Sequence, residues 1–592
     1  MSTATSKRWR LKPEPPADLV RALTSDRCPY ELAHLLVQRG IRTPDEASAF
    51  FRPQLSQLHD PFLMKDMDRA VERIERALGD GERIMVYGDY DVDGTTSVAL
   101  VYGFLSRFTG NLCHYVPDRY AEGYGISTLG IDRASDDGVS LIIALDCGIK
   151  SVDKVAYAAE KGIDFIICDH HLPGETIPEA VAVLDPKRSD CSYPFKELSG
   201  CGIGFKLMQA VAQHNGIPFT ELEPLLDLVA ISTACDIVPV DGENRVLSHF
   251  GLKRLNKGPV RPGVQAMLGM TNFKRELTIT DLVFVIGPRI NAAGRIEHGQ
   301  QAVELLLSHD LSQAEQIGLR IDKNNSHRQD LDKEITRQAL GLFEEESPLR
   351  DAWTTVLFNK DWHKGVVGIV ASRLIETHYR PTVVLTESNG KASGSARSVK
   401  GFDVHEAISA CADLLDQFGG HMYAAGLSMP VENVDAFRER FELVVRERMP
   451  ESMRTPEEEI DLEIGLELIN DRLVRDVQHM APFGPRNMRP VFLSRGVVDS
   501  GSARIVGEDH LKLSVHPPGN PGKRFDAIAF RQGRHLDLVR SGEPFSILYV
   551  LEENIWQGRH SLQLNIKDIK PGAQGVVEGD TVTESTGVNT VA

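Results

Sequence analysis

The stretch Tyr87–Ser97, YGDYDVDGTTS, follows the apolar run RIMV (83–86) and leads into the helix-like GTTSVALVYGFL. Asp89, Asp91 and Asp93 fall at alternate positions within it. Carboxylates that close repel one another, so something else must keep them together. One Asp before a helix is well explained as an N-cap, and Asp93 stands where such a cap would stand. Two further runs repeat the pattern: LIIALDCG (141–148) ends in Asp146, and DFIICDHH (164–171) ends in Asp169, His170 and His171. Short β-rich runs that alternate with helical segments predict a parallel sheet buried on both faces. Ligands of open α/β sheets gather at the carboxyl ends of the strands. The pattern therefore draws Asp89, Asp91, Asp93, Asp146, Asp169, His170 and His171 to one edge, which capping does not explain.

Hard divalent cations such as Mg²⁺ and Mn²⁺ take oxygen ligands, and Mn²⁺ also accepts imidazole. Two ions ~3.5–4 Å apart need carboxylates from several strands, one of them able to bridge. Asp236, at the end of an apolar helical stretch in TACDIVPV (233–240), would close such a set. DVDGT also matches the DxDGT signature of haloacid-dehalogenase phosphatases, but that signature follows directly on its strand, and here GDY intervenes. Nor does that fold need a paired DHH.

A chain of 592 residues is too long for one core and suggests three to five domains. Hydrophobic and charged shares of 42% and 25% are those of an ordinary globular protein. No apolar run reaches the ~18–20 residues of a membrane span, and MSTATSKRWRLKPEPP carries no secretory core. A cytoplasmic protein without membrane contact is expected. Eight cysteines without a CxxC argue against a zinc module or a disulfide scaffold. Cys147, Cys168 and Cys235 neighbour the candidate ligands, but alternation along a strand turns a neighbour into apolar packing. The net charge of −18 lowers the prior for a nucleic-acid partner without excluding it, since binding follows local charge and metal sites concentrate acids.

Residues 1–80 read as a helical lead segment, 81–255 as the catalytic α/β domain, and 256–350 as a helical connector whose polar run HDLSQAEQIGLRIDKNNSHRQDLDKEITRQAL suits a bridging helix. Residues 351–450 form a second α/β region, PESMRTPEEE (450–459) reads as a linker, 455–571 as a small β-barrel of the OB type, and 572–592 as a disordered tail.

Ten stretches resemble one family in order. GDYDVDGTTS, ALDCGI, CDHH and ACDIVP look like the four motifs of the DHH phosphoesterase superfamily. With VPDRYAEGYGIS, LSGCGIGFKL, GPRINAAGR, WHKGVVGIVASRL, SGSARS and FGGHMYAAG, residues 60–571 resemble the RecJ family of bacterial single-strand-specific 5′→3′ exonucleases. The resemblance implies a metal-dependent exonuclease that releases 5′-mononucleotides from single-stranded DNA in repair and recombination. It implies one ion on Asp93, Asp146, His170 and Asp236, and a second on Asp91 and Asp146 with Asp89 nearby. His171 would face the scissile phosphate, so Asp146, His170 and His171 carry the catalysis.

The second α/β region resembles the DHH-associated domain that holds nucleic acid. There Ser395, Arg397 and Ser398 would contact phosphate, with His421 beside the scissile site, and Arg119, Arg289 and Arg295 would do likewise elsewhere. Arg119, Ser395 and Arg397 are expected to line a 5′-phosphate pocket, and a channel admitting one strand is expected to explain single-strand selectivity. In the barrel, Arg524, Phe525, Phe530, Arg531 and Trp556 are candidates for base stacking. Its entrance departs from the family: in APFGPRNMRPVF, Arg486 and Met488 stand where a glycine and a proline are usual. A monomer is expected, with a helicase and a single-strand-binding protein as partners. The rival readings are a DHH phosphodiesterase on short oligonucleotides or cyclic dinucleotides, and a non-catalytic DNA-binding platform.

Overall fold

The computed structural model describes residues 7–271, 273–345, 351–556, 559–572 and 576–578. It divides into two compact units. One comprises residues 1–51, 335–481 and 489–592, the other residues 52–334 and 482–488.

The chain opens on a strand, β1 (Arg8–Leu11), before the helices α1 (Ala17–Leu23), α2 (Tyr30–Val37) and α3 (Pro44–Phe51). Three helices thus follow the opening strand before the boundary at Phe51.

The unit that begins at Arg52 holds α4 (Met67–Asp80) and then a five-stranded sheet. Its strands are β2 (Ile84–Gly88), β3 (Leu112–Tyr115), β4 (Leu141–Leu145), β5 (Asp164–Cys168) and β6 (Ala182–Leu184). They lie in the order β3-β2-β4-β5-β6, all parallel. Every residue of β2 and β4 is buried, so alternation gives way to continuous apolar runs, as in a sheet covered on both faces. Between the strands run α5 (Val92–Leu105), α6 (Thr128–Asp136) and α7 (Val152–Glu160). One face packs Ile84, Val86, Ile143 and Leu145 against helices including α8 (Gly200–His214) and α9 (Leu226–Cys235). The other packs Met85, Tyr87, Ile142 and Phe165. Cys147 and Cys168 lie in these cores, as expected.

Helices continue from α10 (Gly242–Lys257) to a 35-residue helix, Leu311–Glu345. Among them the segment Leu282–Ile286 is a π-turn that runs into the helix Gly287–Ile296.

The second unit contains β7 (Thr355–Phe358), β8 (Thr382–Ser388), β9 (Lys391–Arg397), β10 (Gln417–His421) and β11 (Ala424–Pro430) in the order β10-β11-β9-β8-β7. Next comes β12 (Glu457–Ile460), which pairs in parallel with β1. The acidic run read as a linker is therefore a strand, and the opening KRWRLK is its partner. Lys7 meets Glu458 at 2.5 Å, Arg8 meets Glu457 at 2.9 Å, and Lys12 meets Asp461 at 2.8 Å.

Seven further strands, β13 (Leu462–Glu463), β14 (Phe492–Asp499), β15 (Arg504–Val506), β16 (His510–His516), β17 (Phe525–Ala529), β18 (Phe545–Trp556) and β19 (Arg559–Pro571), form one sheet. β14 pairs with β18 through its first half and with β16 through Val498 and Asp499. That second pairing closes five of the strands on one another, the barrel geometry expected of an OB fold. In the segment expected to be a disordered tail, β20 (Val576–Glu578) pairs with the free side of β1, while residues 573–575 and 579–592 lie outside the described residues.

Candidate metal centre

Asp91 is the N-cap of α5 and accepts the Gly94 N–H at 3.0 Å. The cap is therefore two residues earlier than Asp93, which is left free for another task. Gly94 is required here, because a Cβ would sit 2.3 Å from the Asp89 carbonyl oxygen. The Asp93 carboxylate accepts three hydrogen bonds: Gly200 N–H at 2.7 Å, Cys201 N–H at 2.8 Å and the Ser232 hydroxyl at 2.7 Å. The first two come from the N-terminus of α8, whose orphan donors and dipole favour an anion.

Asp146 follows β4 in the left-handed region, φ 60°, and its N–H donates to the Cys168 carbonyl at 2.9 Å. That conformation aims its carboxylate at the DHH turn. His170 Nε2 lies 3.2 Å from Asp146 Oδ1, 3.5 Å from Asp236 Oδ2 and 3.8 Å from Asp93 Oδ2. Asp236 is the C-cap of α9, one helical turn after Ser232. Asp89 Oδ1 accepts the Gly125 N–H at 3.2 Å, while its Oδ2 has no partner.

Two groups offer ligand atoms all within 4.8 Å of one another: Asp93, His170 and Asp236, and Asp146, His170 and His171. Both ring nitrogens of His170 and Asp146 Oδ1 are buried without a hydrogen-bond partner. Buried polar atoms are normally satisfied, so these are atoms shaped for a ligand that is not protein. Oxygen donors with one imidazole suit Mn²⁺ or Mg²⁺. Electrostatics agree. Burial, together with the charges of neighbouring carboxylates, pushes the carboxyls of Asp89, Asp146 and Asp236 well above the ordinary range and raises that of Asp91. Burial pushes the His170 imidazole down to about 4. The site thus has carboxylates that need a cation and a neutral imidazole ready to ligate one.

Asp169 builds a second layer. Its Oδ1 accepts His171 Nδ1–H at 2.7 Å and the backbone N–H groups of His170 (2.8 Å) and His171 (3.1 Å), and its Oδ2 accepts Ile149 N–H at 2.8 Å. Burial would raise this carboxyl, but the His171 hydrogen bond and charge prevail and hold it at about 2. In return Asp169 lifts His171 above its ordinary value against the effect of burial. With Nδ1 committed, His171 presents Nε2, 3.2 Å from the Tyr124 hydroxyl.

Arg119 lies with its guanidinium 4.9 Å from the ring centroid of Tyr90, the residue between Asp89 and Asp91. Arg289 is tied to Asp322 at 3.0 Å and to the Val285 carbonyl at 2.7 Å, and the Arg295 carbonyl accepts the Tyr120 hydroxyl at 2.5 Å.

Ser395, Arg397 and His421 belong to the other unit. Arg397 Nη1 donates to Ser395 Oγ at 2.6 Å. Register sets Arg397 opposite Ala424, and Ala424 opposite His421, so the three share one corner of that sheet. Arg524, Phe530 and Arg531 are exposed on the barrel, Phe525 is half-buried, and the Trp556 side chain lies outside the described residues. At the altered turn Arg486 adopts φ 59°, a conformation glycine takes freely, so the turn is kept and the arginine bears the strain. Its guanidinium reaches Glu197 at 3.1 Å and Asp241 at 3.5 Å.

Sequence reasoning gave no role to Gly200, Cys201, Ser232 or Tyr124. Ser232 carried a readable signal, standing four residues before Asp236 on one helix face.

Family models match the DHH family N-terminal domain at residues 83–233, the DHHA1 domain at 352–447 and the RecJ OB domain at 460–568. The chain is 36% identical over 564 residues to the single-stranded-DNA-specific exonuclease RecJ of Dickeya dadantii, covering 92% of this chain and 97% of that one. Crystal structures of RecJ from Thermus thermophilus match with 28% identity and a TM-score of 0.82 in complex with Mn²⁺, and with 27% and 0.76 in complex with Mg²⁺. They cover 97% of this chain and 80% and 79% of theirs. From the carboxylate edge to the closed C-terminal sheet, the features converge on one assignment: this chain belongs to the RecJ family of single-stranded-DNA-specific exonucleases.

Proposed function

We propose that the chain degrades single-stranded DNA from its 5′ end, releases 5′-mononucleotides, and serves DNA repair and recombination. In this reading Asp89, Asp91, Asp93, Asp146, His170 and Asp236 hold two Mn²⁺ or Mg²⁺ ions, with Asp146 shared. The observation that carries it is the pair of buried, unpartnered atoms Asp146 Oδ1 and His170 Nε2, 3.2 Å apart among crowded carboxylates. Divalent ions bound there supply a water acidic enough to ionise near neutral pH and neutralise charge on the phosphoryl oxygens. The chain's own residues do the rest. The α8 N-terminus and Ser232 fix the Asp93 carboxylate, and Asp169 fixes the tautomer and orientation of His171. With Nδ1–H held by Asp169, which raises its affinity for a second proton, His171 donates from Nε2 to the scissile phosphate.

Ser395 and Arg397 take a terminal 5′-phosphate through the Arg fork, His421 contacts the strand beside them, and Arg119 and Arg289 contact the backbone. Residues 81–255 act as the catalytic domain, 351–450 hold nucleic acid and 455–571 form the OB domain. A helicase and a single-strand-binding protein supply and present the substrate to a monomeric enzyme.

The test is a time course on long single-stranded DNA labelled at its 3′ end, with Mn²⁺, with chelator, and with Asp146→Ala. The label should stay on a steadily shortening strand, with metal and wild-type Asp146 only. Labelled mononucleotide in the first minutes would refute the polarity, and cleavage by Asp146→Ala at the wild-type rate would refute the metal assignment.

A further inference from the structure

The sheet edge that collects the carboxylates also collects a cation. β6 lies beside β5, with Leu184 in register with Cys168, so the residues after Leu184 emerge next to the DHH turn. Neighbouring strands run about 4.8 Å apart, well within the span of a lysine side chain. The chain there reads Asp185-Pro186-Lys187. Asp185 is buried, its Oδ1 accepts the Lys187 N–H at 2.7 Å, and the Asp169 N–H donates to the Leu184 carbonyl at 3.0 Å. Proline fixes one backbone angle between them. The loop that carries Lys187 is therefore rigid at its root and tied to the DHH strand.

The Lys187 ammonium is only loosely held. Its nearest acid is Glu197, with Nζ 3.8 Å from Oε2, and Glu197 is engaged on its other oxygen by Arg486 at 3.1 Å. A carboxylate shared between two cations commits neither fully. Lys187 stands three residues beyond Leu184, the residue in register with Cys168, and so on the same strand edge as the DHH turn. A lysine on the rim of a carboxylate cluster, neither buried in it nor paired out of it, suits an anion that arrives from outside.

We propose that Lys187 is a catalytic residue of this centre, its ammonium contacting a non-bridging oxygen of the scissile phosphate. The inference rests on the exonuclease reading above and adds to it a cation from the fourth strand end. Charge that grows on the phosphoryl oxygens in the transition state is then stabilised by a fixed positive group, which is the kind of interaction that raises kcat rather than lowering KM.

The test compares wild type, Lys187→Met and Lys187→Arg in two measurements. The first is kcat and KM on 5′-phosphorylated single-stranded DNA with saturating Mn²⁺. The second is Mn²⁺ binding to the DNA-free protein by calorimetry. Lys187→Met should lower kcat by about 10²-fold with little change in KM, while Mn²⁺ binds as well as before or more tightly, since a neighbouring cation is gone. Lys187→Arg should recover most of the rate, because it keeps the charge and can reach the same oxygen. Its behaviour keeps the proposal testable should Lys187→Met fold poorly. A Lys187→Met enzyme within about twofold of the wild-type kcat would overturn the proposal. So would weaker Mn²⁺ binding with activity restored by excess Mn²⁺, which would mean that Lys187 acts through the carboxylates. A wild-type chain inactive on this DNA would overturn the exonuclease reading and this inference with it.

Discussion

Alanine at position 200 would put a methyl group 2.6 Å from Asp146 Cβ and 2.9 Å from its Cα, where ordinary contact begins at 3.4 Å. Asp146 or the start of α8 must therefore move by about 0.8 Å, and a misplacement near 1 Å costs on the order of 10²-fold in rate. Neither can yield harmlessly. Asp146 is already held in the left-handed region, and the Gly200 N–H anchors Asp93 at 2.7 Å. Overpacking of this kind costs about 1–3 kcal/mol, offset in part by the helix preference of alanine over glycine, about 1 kcal/mol. Gly200→Ala is thus expected to fold with a modestly lowered thermal midpoint, to bind Mn²⁺ more weakly, and to lose about 10²-fold in kcat on single-stranded DNA. Gly202→Ala is the control, since it makes the same exchange on the same helix and its Cβ would meet only Leu198 and Ser199, at an ordinary 3.4 Å or more. It should retain wild-type activity. If Gly200→Ala matched Gly202→Ala in both kcat and Mn²⁺ affinity, the claim that α8 sets the position of Asp146 and Asp93 would be wrong.

Asp169→Asn keeps an oxygen acceptor but removes the negative charge that helps raise His171. Activity should fall about 10–100-fold, and the limb of the pH–rate profile on which His171 loses its proton should move to lower pH; an unmoved limb would separate His171 from that ionisation. Thermal unfolding with and without metal tests the crowded carboxyls. The folded values of Asp89, Asp146 and Asp236 are raised, so in chelator the stability they contribute is present below about pH 3.8 and is lost as pH rises through those folded values. Mn²⁺ relieves the repulsion, so its stabilising effect should grow as pH rises through the raised values of these carboxyls, and a pH-independent effect would contradict the assignment. Trp9 is fully buried and its Nε1–H donates to Asp568 at 2.7 Å. Trp9→Ala should cost about 3–5 kcal/mol, read as a lower denaturation midpoint of the unit that contains β1. A loss under about 1 kcal/mol would mean that the strand is not integral to its unit.

The carboxylate edge was legible because each ligand closes an apolar run, and a parallel sheet sends all such ends one way. What holds the ligands was less so. Asp93 looks like a cap in sequence, yet Asp91 caps the helix and Asp93 receives another helix's N-terminus from more than a hundred residues away, a meeting that no local pattern encodes. The acidic run 457–459 read as a linker for a related reason. Glutamates disfavour strands taken alone, and only the basic partner at the other end of the chain makes a strand of them. Arg486 shows the converse limit. Sequence marked the missing glycine, but only the backbone reveals that the arginine takes a positive φ there and that its guanidinium reaches two acids.

The placing of β1 between β12 and β20 sets a timetable for synthesis. Ribosomes extend a chain from its N-terminal side at about 5–20 residues per second, so Arg8–Leu11 emerge roughly half a minute to two minutes before Val576–Glu578 exist to pair with them. For nearly all of that interval Trp9 lacks its socket, which needs residues as late as Asp568, and for most of it the lysines and arginines beside it lack their glutamates. A strand made early is thus among the last to be seated, and the newborn chain must be kept soluble until residues 576–578 arrive.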